Sequence, residues 1–521
     1  MIIKSVLRRN AYYDSVTLMA ISKKVEEING VINAVVSMGT EMNKELLQNA
    51  GLMTDEIQGA GPSDLVIAYK IVDEAMSDKV LQAVEEALKK KASAGGGMEV
   101  APASFASAIK ALPDANVVVI SLPGQYAAKE AMRALRKGLH VMMFSDNVSV
   151  EEEVELKQFA HQARLLMMGP DCGTAIINNK GFCFANSVAS GNIAVVGASG
   201  TGTQEVTVLI DRLGGGISQA IGTGGRDLSE AVGGVMMCDA LAALNRDDNT
   251  EVIVLVSKPP VKVVADKVLA EARKCTKPVV ICFINSYLHT TEGSGIYFEQ
   301  TLEGAAYKAV SLANRKPLCV EDGNYGEYAA QIKLYYEKRT AEQKYVRGLF
   351  CGGTLCDEAK YIFKEAVSKN SGAVYSNAAK DPKEKLSDSL KSVEHSFIDL
   401  GDDDFTVGKP HPMIDPSLRS SRILQEANDP SVAVILLDVV LGYGSHADPA
   451  GITLSAIKEA KIIAESEGRS LCFIAYVCGT DKDMQNLAAQ EAKLAQEGVI
   501  LAKSNAKAAR LAAAIIGGEK I

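Results

Sequence analysis

None of the ten cysteines in this chain stands in a CxxC pair, and the closest two are Cys351 and Cys356. No zinc site is expected from such spacing, and no metal ligand set is assigned. Most of the cysteines sit in apolar runs, as Cys282 and Cys472 do, the pattern of buried reduced thiols in a cytoplasmic protein. The histidines at 140, 161, 289, 395, 411 and 446 are equally dispersed. Long apolar runs are missing too. Stretches such as Val432 to Leu437 are strand-length, so no membrane span is expected. The opening MIIKSVLRRNAYYDS lacks an apolar region followed by a small-residue cleavage site, so no signal peptide is expected. Positive charge is in deficit, with 55 Lys and Arg against 64 Asp and Glu and a net charge of −9. Nucleic acid and anionic membranes are thereby excluded as expected partners, and any basic site is local.

What is present is the material of a large soluble α/β protein. The chain has 521 residues, 47% apolar and 23% charged, enough for roughly three or four units. Residues 1–97 read as a small α/β unit, ending in the flexible segment AlaSerAlaGlyGlyGly at 92–97. From Asn116 a strict strand–turn–helix rhythm begins, giving a Rossmann-like, CoA-binding-like unit at 98–190. A second such unit at 191–315 has strands at 193–196, 217–221, 252–256 and 279–284. Residues 316–344 read as a connection. A third unit at 345–521 has strands at 346–350, 396–400, 432–438, 471–477 and 499–502.

The most informative stretch is Asn192 to Leu213, NIAVVGASGTGTQEVTVLIDRL. Ile193 to Val196 reads as a buried strand, and Val206, Ile210 and Leu213 fall on one face of a helix. Between them lies a turn of Gly197, Ser199, Gly200, Thr201, Gly202 and Thr203. A strand ending in glycines at a helix N-terminus offers an anion unpaired N–H groups and the positive end of a dipole. Helix capping by Ser199 or Thr203 accounts for the same residues without a ligand. No Gly-Lys-Ser/Thr follows, which excludes the nucleotide P-loop. A second turn of this kind, Cys351-Gly352-Gly353-Thr354, follows the strand Val346 to Phe350 and opens another helix. The repetition favours the anion.

These turns belong to a wider set: GPDCG (169–173), VGASGTGTQE (196–205), GTGGRD (222–227), FIDLG (397–401) and AYVCGTD (475–481). In order and spacing the set resembles the α subunit of succinyl-CoA synthetase. The third unit resembles the carboxyl-terminal domain of that enzyme's β subunit. With the small N-terminal unit and no ATP-grasp domain, the chain is similar to the FdrA family of acyl-CoA synthetase-like proteins. The resemblance implies tandem Rossmann-like and flavodoxin-like domains. It also implies that two helix N-termini point at one phosphate. Ser199, Gly200, Thr201 and Thr203 would form one half of the cradle, and Gly352, Gly353 and Thr354 the other.

The chain departs from the ligase at the chemistry. Where the ligase carries its phosphorylated histidine, residues 289–306 read HTTEGSGIYFEQTLEGAA, with His289 slightly upstream of the corresponding place. The glutamate that holds the phosphohistidine gives way to Ser257-Lys258-Pro259-Pro260, and Lys258 attracts a phosphate or carboxylate. The loop that grips CoA phosphates has no visible counterpart, which leaves CoA open as a cofactor. Lys258 and His446, the latter in a loop after a buried strand, are the catalytic candidates. Asp171, Cys172, Gly224 and Arg226 are the candidates for substrate contact, against packing for Cys172 and a surface salt bridge for Arg226.

A retained cradle without the relay implies an enzyme that holds a substrate's own phosphate. The FdrA resemblance implies a subunit of the oxamate carbamoyltransferase of allantoin breakdown, working with other enzyme subunits in an oligomer on phosphate and carboxylate substrates. An NDP-forming acyl-CoA ligase subunit with an ATP-grasp partner is the alternative within the fold. A non-catalytic scaffold is the alternative outside it.

Overall fold

The strand LVIAYKI is almost continuously apolar, and the computed structural model buries it on both faces at the centre of an antiparallel sheet. Residues 2–517 are described, apart from 10, 12, 14, 27, 29, 94–101, 103, 287–292, 321–324, 368–370 and 407–409. They fall into two units, Met1–Pro113 and Asp114–Ile521. The first contains β1 (Ile2–Arg8), α1 (Ser15–Glu26), β2 (Val31–Met38), β3 (Leu65–Ile71) and α2 (Ser77–Ser93), with strand order β1-β3-β2. Alternation along β3 serves two cores. Ile67, Tyr69 and Ile71 meet Leu18, Ile21, Val80 and Val84. Val66 and Ala68 meet Leu47, Leu52 and Ile57 on the other side.

The second unit opens with a parallel sheet of β4 (Val117–Ile120), β5 (His140–Met143) and β6 (Met167–Met168) in that order, with α3 (Val150–Ala163) between the last two. Ser149 and Glu152 form a capping box at the start of α3. The next sheet contains β7 (Thr174–Ile177), β8 (Lys180–Cys183), β9 (Ser190–Gly197), β10 (Ile217–Gly222), β11 (Val252–Ser257), β12 (Val279–Phe283) and β13 (Ile296–Phe298). Helix α4 (Gly200–Arg212) follows β9, and α5 (Leu302–Asn314) follows β13. The hairpin β7–β8 pairs antiparallel with β10 through Ile176 and Ala220, so this sheet reaches back to Thr174.

The last sheet is parallel throughout and runs β15 (Val374–Ser376), β16 (His395–Asp399), β14 (Tyr345–Phe350), β17 (Val432–Val440), β18 (Cys472–Cys478), β19 (Ile500–Ala502). Its helices include α6 (Gly353–Ala366), α7 (Ser417–Ala427) and α8 (Asn505–Gly517). The neighbours β10-β9-β11-β12-β13 and β16-β14-β17-β18-β19 each follow the flavodoxin-like order 2-1-3-4-5. The tandem α/β architecture expected from the strand–turn–helix rhythm is therefore present. Both glycine turns leave the carboxyl ends of β9 and β14, the strands at which each sheet reverses its order. That is where open α/β sheets bind ligands. Among the described residues, no helix is long and apolar enough to cross a membrane.

The two flavodoxin-like lobes share one core. Val206, Leu209 and Ile210 of α4 pack in the same cluster as Leu355 and Ile362 of α6 and Ala508 and Ala512 of α8. Two acids are buried among them. Asn505 donates its backbone N–H to Glu205 Oε1 at 3.3 Å and its side-chain amide to Glu358 Oε2 at 2.8 Å. Burial, helped by the like charge of Glu358, pushes Glu205 up to about 8, and burial pushes Glu358 up to about 7. An unfolded chain releases such protons near about pH 4.3. Above that pH the folded state holds more protons than the unfolded one, so these acids make stability fall as pH rises toward 8. Glu205→Gln, which keeps the shape and removes the charge, is expected to flatten the decline of Tm between pH 5 and 8 in calorimetry. An unchanged slope would place the titration elsewhere.

Candidate functional site

Ser199 caps α4: its Oγ accepts the Gly202 N–H at 2.9 Å. The same oxygen lies 2.6 Å from Thr354 Oγ1 on the first turn of α6. The two glycine turns therefore meet, hydroxyl to hydroxyl, across the lobes. Glycine makes the approach possible. A Cβ on Gly352 would stand 2.8 Å from Thr201 Oγ1, and one on Gly202 would stand 3.0 Å from Thr354 Cγ2. Gly200 and Gly353 open the two helices, whose first residues have N–H groups without intrahelical acceptors.

Two assignments within the cradle change. Thr203 is fully buried and its hydroxyl donates to the Ser199 carbonyl at 2.6 Å, so it closes the turn instead of facing a ligand. The Gly352 N–H is already taken. Asp438 accepts it at 2.9 Å and accepts the Cys351 N–H at 2.8 Å. Arg419 supports this carboxylate, with Nη1 3.3 Å from Asp438 Oδ1. Gly352 thus serves by its missing side chain, and Gly353 and Thr354 remain as donors from this side.

Lys258 follows β11 and reaches across the junction to α6, with Nζ 2.6 Å from Asp357 Oδ2. Burial works against the ammonium, but the carboxylates of Asp357 and Asp399 outweigh it and push it up to about 12. It stays charged at neutral pH. Asp399 ends β16 beside Gly353, where a Cβ would stand 2.3 Å from its Oδ2. Burial pushes Asp399 up to about 7, with Lys258 pulling the other way. His289, considered for the relay, lies outside the described residues.

The GPDCG and GTGGRD turns pack on one another. A Cβ on Gly224, which has φ +87°, would stand 2.3 Å from the Pro170 carbonyl oxygen. Cys172 is buried and its Sγ lies 3.5 Å from the Gly222 carbonyl, while burial pushes the thiol up to about 12. Its side chain packs between the two turns. Arg226 directs its guanidinium to Glu153 Oε2 at 2.9 Å and to the Val148 carbonyl at 2.8 Å, tying its turn to α3 in place of a free clamp. Beneath it, Lys157 joins Glu153 and Asp227 in a fully buried cluster. Asp171 is exposed as a residue, yet its carboxyl is crowded by protein. That burial, with the like charge of Asp146, raises it to about 6. His446 is half-buried and its Nδ1 accepts the Asp448 N–H at 3.0 Å, a bond that shapes its own loop.

Asp357, Asp399 and Asp438 were not singled out from the sequence. Asp438 had a signal, being a lone charge inside the apolar run VAVILLDVV. Asp399 had one too, as the acid closing the strand of FIDLG.

Comparison with known proteins divides the chain in a matching way. Residues 349–515 match the CoA-ligase family, 188–284 the CoA binding domain, and 1–103 the heavy metal-associated domain of AllF. The CoA-binding match lies downstream of the 98–190 unit to which the sequence reading gave that likeness. The alpha 2 subunit of an ADP-forming succinate–CoA ligase from Archaeoglobus fulgidus is 28% identical over 193 residues, which cover 36% of this chain and 65% of that one. Among solved structures, the dinucleotide-forming acetyl-coenzyme A synthetase 1 of Ca. Korarchaeum cryptofilum is 16% identical over 77% of this chain and 82% of its own, with a TM-score of 0.31. YahF of Escherichia coli K12, described as uncharacterised, is 50% identical over 515 residues, 98% of both chains.

A heavy metal does not fit the first unit. Residues 1–113 contain neither cysteine nor histidine, the thiolate and imidazole donors on which most heavy-metal sites are built. Among the described residues, no group of three or more His, Cys, Asp and Glu comes together to hold a metal ion. By half-identity across nearly its whole length, the chain belongs to the family of YahF, and its own CoA-binding and CoA-ligase matches follow an AllF-type N-terminal match.

Proposed function

We propose that this chain handles an acyl phosphate where its two flavodoxin-like lobes meet, as an acyl-CoA synthetase-like transferase moving the acyl group between phosphate and an acceptor. The observation that carries the reading is the 2.6 Å contact of Ser199 and Thr354, which brings two helix N-termini to one point. Each such end stabilises an anion by about 0.3–1 kcal/mol in exposed settings, and by more where water is excluded. Lys258, charged and paired with Asp357 of α6, adds a cation on the same side. The CoA-binding match contributes one turn and the CoA-ligase match the other, which supports a CoA thiol as the acceptor. ATP-dependent formation of the acyl phosphate would then belong to an ATP-grasp partner subunit.

A narrower reading has a separate support. The AllF-type first unit favours an FdrA-type subunit of oxamate carbamoyltransferase. The acyl phosphate is then carbamoyl phosphate, the acceptor carries a carboxylate that Lys258 can attract, and partner subunits complete a cytoplasmic oligomer.

Thermal unfolding of the full chain with inorganic phosphate, acetyl phosphate, carbamoyl phosphate or CoA tests both. A ligand at one hundred times its Kd adds about 2.7 kcal/mol. The phosphate-bearing ligands are expected to raise Tm, and Ser199→Ala with Thr354→Val is expected to remove the rise. Phosphate release from acetyl phosphate that depends on CoA supports the broader reading, and release from carbamoyl phosphate that depends on oxamate supports the narrower one. A wild-type chain indifferent to every phosphate-bearing ligand would sink both.

A further inference from the structure

At the mouth of the cradle a carboxylate stands where a second anion has to come. Asp399 is 7% exposed and its backbone is clamped by Asn377, which donates to its carbonyl at 3.0 Å and accepts its N–H at 2.9 Å. Its Oδ1 accepts the Gly401 N–H at 2.9 Å, and its Oδ2 lies against Gly353 at the head of α6. One carboxylate oxygen is held by that hydrogen bond, and the other faces the head of α6.

The charges around it come from three elements. Lys258 faces it from the end of β11, Asp357 from α6, and Asp402 from its own loop. His411 also approaches, with Nε2 2.8 Å from where a Cβ on Gly401 would stand, and burial lowers that imidazole to about 4, so it is neutral at physiological pH. Lys258 is already paired with Asp357 at 2.6 Å. One ammonium against two close carboxylates leaves negative charge unbalanced before any substrate arrives. A phosphate drawn to the helix ends then meets Asp399 at close range, and like charges so placed do not both stay ionised. Taking up a proton removes the repulsion and turns the carboxyl into a donor.

We infer that Asp399 is the proton-transfer group of this site, protonated when an anion fills the cradle and acid to the departing phosphate. The inference rests on the acyl-phosphate reading. The acceptor attacks the acyl carbon as a neutral S–H or N–H group and a new C–S or C–N bond forms. The C–O bond to phosphate breaks with its electron pair left on the phosphate oxygen, and Asp399 gives that oxygen its proton. Hydrogen phosphate leaves. The Asp399 carboxylate then takes the proton from the acylated acceptor and is restored. A carboxyl held at about 7 by burial exchanges protons in both directions near neutral pH.

Sulfate is the probe for the coupling, because it is a dianion that does not titrate between pH 6 and 9. By calorimetry on the full wild-type chain, sulfate affinity is expected to be level below about pH 7 and to fall about tenfold per pH unit above it. Asp399→Asn is expected to bind sulfate equally well across the range. With acetyl phosphate and CoA the same variant is expected to lose about 10²–10⁴-fold in kcat while keeping its sulfate affinity. A level wild-type profile overturns the inference without any variant, and so does an Asp399→Asn profile that keeps the wild-type slope. In both cases the anion still binds and the acyl-phosphate reading stands. Failure of the wild-type chain to bind either sulfate or phosphate at any pH takes down both.

Discussion

Replacing Glu426 with alanine is expected to lower the unfolding free energy of the ligase lobes by about 3–5 kcal/mol, the cost of stranding a buried charge. Glu426 Oε2 accepts Arg347 Nε at 2.9 Å, and its Oε1 accepts Arg422 Nε and Ser392 Oγ, each at 2.6 Å. Arg347 is 1% exposed and Arg422 4%. With the carboxylate gone, Arg347 keeps only Asp429 as a charge partner, at 2.7 Å, and Arg422 keeps a carbonyl and a hydroxyl. Against a total stability of about 5–15 kcal/mol for a typical domain, that is a large fraction. In urea the midpoint is expected to fall with the slope unchanged. Glu426→Gln retains an acceptor and is expected to lose less. A midpoint within error of wild type for Glu426→Ala would mean the two guanidinium groups find other partners.

The same cluster explains why part of the unit at 345–521 was hard to read. Helix α7 buries Arg419, Arg422, Ile423 and Glu426, a stripe with helical spacing whose members are mostly charged. Apolar periodicity, the usual signal of a buried helix face, is absent there. The parallel strands were legible for the opposite reason: β11 and β18 are apolar runs, and β9, β14 and β17 are mostly so, each closed by glycine or a polar turn. The β7–β8 hairpin was missed because its turn, Asn178-Asn179 with φ of +47° and +60°, is not one of the common hairpin dipeptides.

The site divides in the same way. Two glycine turns that repeat far apart in the chain pointed to one shared place, and Ser199 and Thr354 do meet. Which donors remain free was not legible. That depends on tertiary neighbours: the Ser199 carbonyl that takes the Thr203 hydroxyl, and the Asp438 carboxylate that takes the Gly352 N–H. Asp399 and Asp357 come beside Lys258 only because β16 and β11 end where α6 begins, and sequence distance hides that convergence.

Gly352→Ala puts the convergence itself under test. The backbone of Gly352, at φ −108° and ψ 111°, accepts alanine without strain. The added Cβ would stand 2.8 Å from Thr201 Cγ2 and Oγ1 and 2.9 Å from its Cβ, so the two helix ends must move apart. Overpacking of this kind costs about 1–3 kcal/mol of stability. The functional loss is expected to be separate and specific. Once the Ser199–Thr354 contact opens, an anion held by both ends keeps one, and inorganic phosphate affinity should drop at least about tenfold, or about 1.4 kcal/mol. Thr201→Gly removes the three atoms nearest the new Cβ, so the double variant should regain part of the lost stability, a coupling that a double-mutant cycle reads directly. If Gly352→Ala loses stability but binds phosphate as tightly as wild type, the helix ends do not share one ligand, and the anion belongs to α4 alone.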